Sequence, residues 1–364
     1  MKSVVIILSL LITCRVNAQV KLDSLLPIRG FCIAAPQTRD LDSFVQFIEV
    51  ELALRSVNTL ILRIDFNYQY ESRPELRDSV ALSKQDVKRL VQVCRRNGIR
   101  IVPQINMLGH QSWANKTHNL LRVYPELDET PHVMMPAVYK WPNADSLYCK
   151  SYCPLLPRVH EILLPMIDEI CAVFETNAFH AGMDEVFYIG NEKCPRCRTK
   201  DKSELFAGEV TRIRNHLAKS NRELWIWGDR LIDGYTTGIG MWEASQNDTY
   251  RAIDLIPKDV LICDWHYERA DKTGLYFAMK GFRVVTCPWR NPEIAIKQLD
   301  DILAFQKEST EPIRKRLVGV VQTVWSGSVP FLRGYYNRTK DPNSNGNSPW
   351  ECYRQLYDAI SNLH

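Results

Sequence analysis

The sequence predicts a single (β/α)8 barrel of the α/β class. Three observations carry that expectation. From Ile28 onward short β-branched runs alternate with longer helical patterns, the runs number eight, and no Pro/Ser-rich linker or shift in composition divides the chain. The length of 364 residues accommodates such a barrel, which takes about 250 residues. A two-domain doubly wound protein is the structural alternative, and the missing linker argues against it. Hydrophobic residues make up 45% and charged residues 24%, which excludes a disordered or collagen-like polymer. The net charge of +4 is small and evenly spread, so nucleic acid is excluded as a partner.

Taken in order, the first residues stand outside the fold. Met1-Lys2 precedes an apolar run from Val4 to Ile12 and then Val16-Asn17-Ala18, the pattern of an export signal cut after Ala18. Residues 1–18 are therefore expected to be removed, leaving 19–364 as the folded domain in a periplasmic or extracellular setting. The rival readings are a buried first strand or short anchor, and a lipid anchor on Cys14, which Thr13 precedes awkwardly. A run this short cannot cross a bilayer core of about 30 Å as a helix, and no later segment is long and apolar enough to span a membrane.

The expected strands are Arg29–Ala35, Thr59–Asp65, Arg100–Asn106, Ala178–Met183, Glu223–Gly228, Val260–Trp265, Arg283–Pro288 and Leu317–Trp325. Between them lie helical patterns at Leu41–Ser56, Ser83–Asn97, Val159–Glu175, Leu205–Ser220 and Pro292–Lys307. Several open on a cap residue or a proline, and Gly98 follows the second as a stop. The stretch from Asp233 to Lys258 has the weakest helical pattern.

In a barrel, the C-terminal strand ends and the loops beyond them form the active face. Those positions hold Asp65, Asn106 with Gly109-His110, Asp184-Glu185, Trp227-Gly228-Asp229, Asp264-Trp265-His266-Tyr267, Trp289-Arg290 and Trp325. Four of the nine tryptophans thus fall around one rim. Indole faces beside carboxylates suit a saccharide, whose apolar faces stack while its hydroxyls hydrogen-bond. Glycoside cleavage needs a proton donor and a group that stabilises the oxocarbenium-like centre, and Asp184 and Glu185 are candidates for both. Adjacent strand residues point to opposite faces, so both enter one pocket only if the strand ends or bulges there.

The segment FHAGMDEV, Phe179 to Val186, resembles the His-x-Gly-Gly-Asp-Glu segment of the family 20 glycoside hydrolases, the β-N-acetylhexosaminidases. Further segments agree in the same order: IRGF at Ile28–Phe31, VNTLILRID at Val57–Asp65 with YES at Tyr70–Ser72, DVKRL at Asp86–Leu90, GIRIVPQINMLGH at Gly98–His110 and GFRVVTCPW at Gly281–Trp289. The resemblance implies the barrel independently of the strand count. It implies Glu185 as the acid and then base, and Asp184 as the group that orients a 2-acetamido substituent whose carbonyl oxygen attacks the anomeric carbon. His110 and Asp65 match the family's supporting pair behind the acid. Trp227, Trp265, Trp289 and Tyr267 would line the acetamido pocket and sugar face, with Asp229 and Trp325 beside them. His180, within its strand, is expected to be structural. No cofactor is implied for catalysis.

Two departures bear on the substrate. Gln37 stands where the family usually carries a sugar-binding arginine, and Ser326-Gly327 follows Trp325 where Gly-Glu is usual. The small domain that usually precedes the barrel is not expected, because only the stretch between Ala18 and Ile28 is available for it. The leading expectation is an exported glycosidase acting on β-linked 2-acetamido sugars of a glycan or oligosaccharide. The alternatives are a catalytically weak carbohydrate-binding relative and a barrel glycosidase with Asp229 or Asp264 as nucleophile.

Of the cysteines, Cys32, Cys94, Cys171, Cys263 and Cys287 sit in apolar runs and are expected to pack as small hydrophobes. Cys149 and Cys153 in CKSYC, with Cys194 and Cys197 in CPRC, read either as a four-thiolate structural zinc site or as disulfides, with unrelated thiols as the third reading.

Overall fold

The computed structural model describes residues 22–337 and 347–363. The export segment and Cys14 lie outside the described residues. Eight parallel strands close into a barrel: β1 Ile28–Ala34, β2 Thr59–Arg63, β3 Arg100–Met107, β4 Ala178–Gly182, β5 Glu223–Trp227, β6 Leu261–Asp264, β7 Arg283–Thr286 and β8 Leu317–Thr323. Each pairs with its sequence neighbours, and β1 closes on β8 with Ile28 opposite Gly319 and Gly30 opposite Val321. That seam requires glycine: a Cβ on Gly319 would lie 1.8 Å from the Ile28 carbonyl oxygen. All eight expected strands are present. The strands end one or two residues early at several places, so Asp65, Met183, Trp265 and Trp325 lie just beyond them.

The burial pattern follows the period of two that a strand imposes. Ile61, Val102, Ala178, Trp225, Leu261, Val285 and Val321 fill the barrel lumen, while Leu60, Leu62, Ile101, Leu224, Ile262 and Val320 face the helices. At the N-terminal end of the lumen Glu223 accepts hydrogen bonds from Arg100 and Arg283, at 2.8 and 2.9 Å, so three odd-numbered strands share one ionic layer.

The α-helices of seven residues or more among the described residues are α1 Leu41–Phe47, α2 Lys84–Arg96, α3 Pro157–Val173, α4 Lys202–Ala218, α5 Thr273–Met279, α6 Pro292–Glu308, α7 Ser328–Asn337 and α8 Pro349–Ser361. Sequence-visible caps start several of them. Ser83 and Asp86 form a reciprocal capping box on α2, Asp201 and Asn291 accept backbone N–H groups of α4 and α6, and Pro157 opens α3. The expected helix Leu41–Ser56 is shorter as an α-helix, continuing as a π turn over Ile48–Leu52. No α-helix forms between Asp233 and Lys258. Asp233 binds the backbone N–H of Tyr235 and Thr236, and the hydroxyls of Ser245 and Thr249 bond to each other at 2.8 Å. Such side chains offer the backbone partners that compete with a helix. The fully buried Arg230 then gathers the carbonyls of Met241, Trp242 and Ala244 at 2.7, 3.1 and 2.6 Å. Among the described residues no helix is long and apolar enough to cross a membrane.

Candidate active site

The chain kinks where β2, β3 and β4 end. Asp65, Leu108, His110, Met183 and Glu185 all have positive φ, between 46° and 68°. Non-glycine residues adopt that region at a cost, and such residues concentrate at functional sites. The kink after Gly182 answers how two consecutive carboxylates reach one pocket: β4 has ended, and the alternation of faces no longer holds. Gln111 fixes the β3 turn by donating to the Asn106 and Gly109 carbonyls at 2.9 and 2.8 Å. Gly109 lets this turn approach the next one, since a Cβ there would lie 2.9 Å from the Asp184 carbonyl oxygen. Asn247 donates to the Val186 carbonyl at 2.7 Å and so holds the chain just past Glu185.

His110 joins the two carboxylates. Its Nε2 lies 3.2 Å from Asp184 Oδ2 and 3.2 Å from Glu185 Oε2. These are ion-pair contacts, and neither is aligned as a hydrogen bond. Burial is the largest single influence and disfavours the imidazolium, but the Asp184 charge, with Cys149 and the Glu185 carboxylate adding to it, holds the His110 pKa well above its ordinary value. Burial pushes Asp184 up, yet the positive charge and proximity of His110 bring its carboxyl below the usual range. Glu185 moves the opposite way: burial raises it, with the Asp184 and Asp229 charges adding to the rise against His110. Two adjacent carboxyl groups are thus pushed apart, one toward the carboxylate and the other toward the acid, which is how acid and base roles separate. Asp184 Oδ1 is buried without a hydrogen-bond partner.

Asp229 is a positioning residue. Its Oδ2 accepts from the Glu185 backbone N–H at 2.9 Å and from Arg230 Nε at 2.7 Å, and its Oδ1 accepts from Trp265 Nε1 at 3.2 Å. Asp264 is likewise engaged, by His266 Nε2 at 3.1 Å and the Thr273 hydroxyl at 2.8 Å. Glu243 bonds the other ring nitrogen of His266 at 2.9 Å and the Tyr267 N–H at 3.1 Å.

The expected Asp65–His110 pair does not form. Among the described residues no hydrogen bond or ion pair joins them, and Asp65 instead accepts from the Asn106 backbone N–H at 2.8 Å and its side-chain amide at 3.3 Å. Asp65 and His110 leave their strands through separate left-handed kinks, and Asn106 intercepts the carboxylate at the end of β3. His180 is structural as expected, buried against Trp227 at 4.5 Å between ring centroids and accepting from the Gly182 N–H at 3.0 Å.

The aromatic residues converge. Trp265 and Tyr267 lie 4.9 Å apart, Tyr267 and Trp289 5.3 Å, and Trp227 and Trp325 5.4 Å between centroids, while Trp325 Nε1 donates to the Tyr267 hydroxyl at 2.6 Å. Trp227 is fully buried at the floor, and Tyr267, Trp289 and Trp325 are half-buried around it. Sequence reasoning missed a second aromatic wall on the Glu185 side. Tyr148 lies 5.0 Å from Trp113, 4.7 Å from Trp242 and 5.5 Å from Phe187, and Trp141 lies 5.2 Å from Trp242. These residues sit in loops without periodicity, and their aromatic type was the one available signal. Burial, reinforced by the Glu185 charge, raises the Tyr148 phenol and keeps it protonated. Arg63 was also missed: its guanidinium packs 4.8 Å from the Trp325 ring, giving that part of the rim a cation although Gln37 is exposed and neutral.

The four-cysteine cluster does not assemble as expected. Cys153, Cys194 and Cys197 meet, but Cys149 turns away and its Sγ donates to the Glu185 carbonyl at 3.4 Å. The segment between them is extended: Lys150 and Tyr152 bond the turn after β3 on one side, while Ser151 and Cys153 bond Glu129 and Leu127 on the other. Four extended residues span about 13 Å, far more than two ligands of one ion allow. All described cysteines are free thiols, and Cys32, Cys94, Cys171, Cys263 and Cys287 are buried.

Comparison with known proteins agrees with this architecture. The model of glycosyl hydrolase family 20, catalytic domain, matches residues 64–327. A β-hexosaminidase of Akkermansia muciniphila is 27% identical over 183 residues, covering 48% of this chain and 35% of that protein. One from Vibrio furnissii is 22% identical over 266 residues, covering 67% of this chain and 39% of its own length. The chain therefore spans less than half the length of these relatives. Among solved structures, a β-N-acetylhexosaminidase from Bacteroides fragilis superposes with a TM-score of 0.59 at 16% identity, covering 92% of this chain and 66% of that one. An exo β-N-acetylglucosaminidase from Vibrio harveyi gives 0.62 at 17%, covering 93% and 56%. At these identities the structures show a shared fold, and the family model, which covers well over half of the chain, shows the kinship: the protein belongs to glycosyl hydrolase family 20.

Proposed function

We propose that the protein hydrolyses β-linked 2-acetamido-2-deoxy sugars with retention, using the substrate's own acetamide as nucleophile. One observation carries the reading. Asp184 keeps a buried, unbonded Oδ1 beside Glu185, while Asp229 and Asp264 are committed to other partners. An enzyme nucleophile needs a free carboxylate opposite the acid, and neither aspartate offers one; Asp184 instead is placed to accept an amide N–H. Glu185 donates its proton to the leaving oxygen and then takes one from water. Trp227, Trp265 and Trp289 enclose the acetamido sugar, and the wall of Trp113, Tyr148 and Trp242 receives the leaving group. The family membership and the curated β-hexosaminidase relatives support this substrate class.

A thiazoline that mimics the cyclised intermediate is expected to inhibit far more tightly than free N-acetylglucosamine, because it resembles the state the site is built to stabilise. Measured inhibition constants check this. No competition at any concentration would favour a binding protein or an enzyme nucleophile.

We also propose that the protein is exported to the periplasm or the extracellular space, on the strength of the apolar run Val4–Ile12 and the small residues before Gln19. The mature protein from its native host is expected to begin at Gln19 by N-terminal mass spectrometry. A lipidated Cys14 or an intact Met1 would contradict that.

A further inference from the structure

Behind the catalytic pocket, Glu129, Cys153, Cys194 and Cys197 bring one carboxylate oxygen and three sulfurs within 4.8 Å of one another. All four residues are buried. The Cys153 sulfur lies 3.7 Å from that of Cys194 and 3.4 Å from that of Cys197. A disulfide requires about 2.05 Å. The edge of a tetrahedron with metal–sulfur bonds of about 2.3 Å is about 3.8 Å, near the separations seen.

Glu129 supplies the fourth vertex. Its Oε1 accepts from the Asn191 backbone N–H at 3.0 Å, which fixes the carboxylate, while Oε2 is fully buried with no hydrogen-bond partner. A buried carboxylate oxygen left unsatisfied beside three sulfurs is costly, and one cation satisfies all four donors together. Three soft sulfur ligands with one carboxylate, in a tetrahedral arrangement, suit zinc better than calcium or magnesium, which prefer six or more oxygens.

We propose that Cys153, Cys194, Cys197 and Glu129 bind a single zinc ion. On binding, the three sulfurs coordinate as thiolates and Glu129 as a carboxylate, and whatever protons the four groups carry pass to solvent. Four protein ligands leave no open position, so the ion is structural. Glu129 and Cys153 belong to the β3–α3 connection, Cys194 and Cys197 to the β4–α4 connection. The first carries His110 and Tyr148 and the second carries Glu185. The ion therefore fastens together the two loops that form the acid side of the pocket.

Elemental analysis of the full chain, purified without a metal-binding tag, tests the proposal without reference to activity. One zinc per chain is expected in the wild type and in Cys149→Ser, and none in Cys194→Ser or Cys197→Ser. Glu129→Gln should weaken zinc in a chelator competition by more than the roughly 10–100-fold that losing a group behind a ligand costs. Should the cysteine variants fail to fold, the wild type still decides. Cobalt substitution should give thiolate charge-transfer and tetrahedral d–d bands, and denaturation should release one zinc per chain. A wild type that takes up no zinc from zinc-supplemented buffer overturns the proposal, as does a disulfide among the three cysteines. Zinc lost equally from Cys149→Ser, or held equally tightly by Glu129→Gln, overturns the ligand set.

Discussion

Replacing Glu185 with glutamine is expected to lower turnover of substrates with poor leaving groups by about 100- to 10,000-fold, the usual contribution of a general acid. Activated aryl glycosides should lose much less at the bond-breaking step, since their leaving groups need little protonation. The expectation rests on placement as well as type. Asp229 holds the Glu185 backbone N–H at 2.9 Å, the residue sits in a left-handed turn, and its carboxyl faces His110 at 3.2 Å. Burial raises its pKa above the ordinary glutamate value, so the acid stays protonated to a higher pH than an exposed glutamate would. In kcat/KM against pH, the alkaline limb for poor leaving groups should accordingly lie above the ordinary glutamate range, and the glutamine variant should lose it. Equal, small losses on both substrate types would remove Glu185 from the role.

Asp184→Asn should reduce hydrolysis of acetamido substrates by about 100- to 1,000-fold, comparable with removing one preorganised electrostatic partner of a transition state. The charge of Asp184 is the main force raising the His110 pKa. Its neutralisation should therefore also let that histidine fall back toward its ordinary value, a shift that NMR titration reads directly. The wild-type carboxylate is held below the usual range, so it stays ionised to lower pH than an exposed aspartate and should lose function only in more acid solution. If the asparagine variant lost activity equally on acetamido and des-acetamido sugars, with His110 unmoved, Asp184 would be structural.

The barrel and much of its active face were legible because both follow from local rules. Strand periodicity and the segments between strands set the topology, and residues at strand ends must face the same way in a closed parallel barrel. Asp184, Glu185, His110, Trp227, Trp265, Trp289 and Trp325 were found by that logic. Asp65 shows where it stops: the end of β2 was read correctly, but the kinks that send Asp65 to Asn106 instead of His110 depend on φ values that no pattern announces. Trp113, Trp141, Tyr148 and Trp242 lie in loops whose paths are set by tertiary hydrogen bonds, such as those of Arg230 and Gln111. The cysteines teach the same lesson. Spacing drew Cys149 and Cys153 together, whereas an extended backbone separates them, and the carboxylate that completes the cluster comes from Glu129, outside either cysteine motif.

The central claim is that the substrate, and not the protein, supplies the nucleophile. It is tested most directly by initial rates on two aryl β-glycosides that share one leaving group and differ only in an acetamido or a hydroxyl group at carbon 2. The structure leads us to expect turnover of the acetamido sugar and a rate lower by orders of magnitude for its partner, with no covalent glycosyl-enzyme detectable by mass spectrometry. Comparable rates on the two, or a trapped ester on Asp229 or Asp264, would contradict the account.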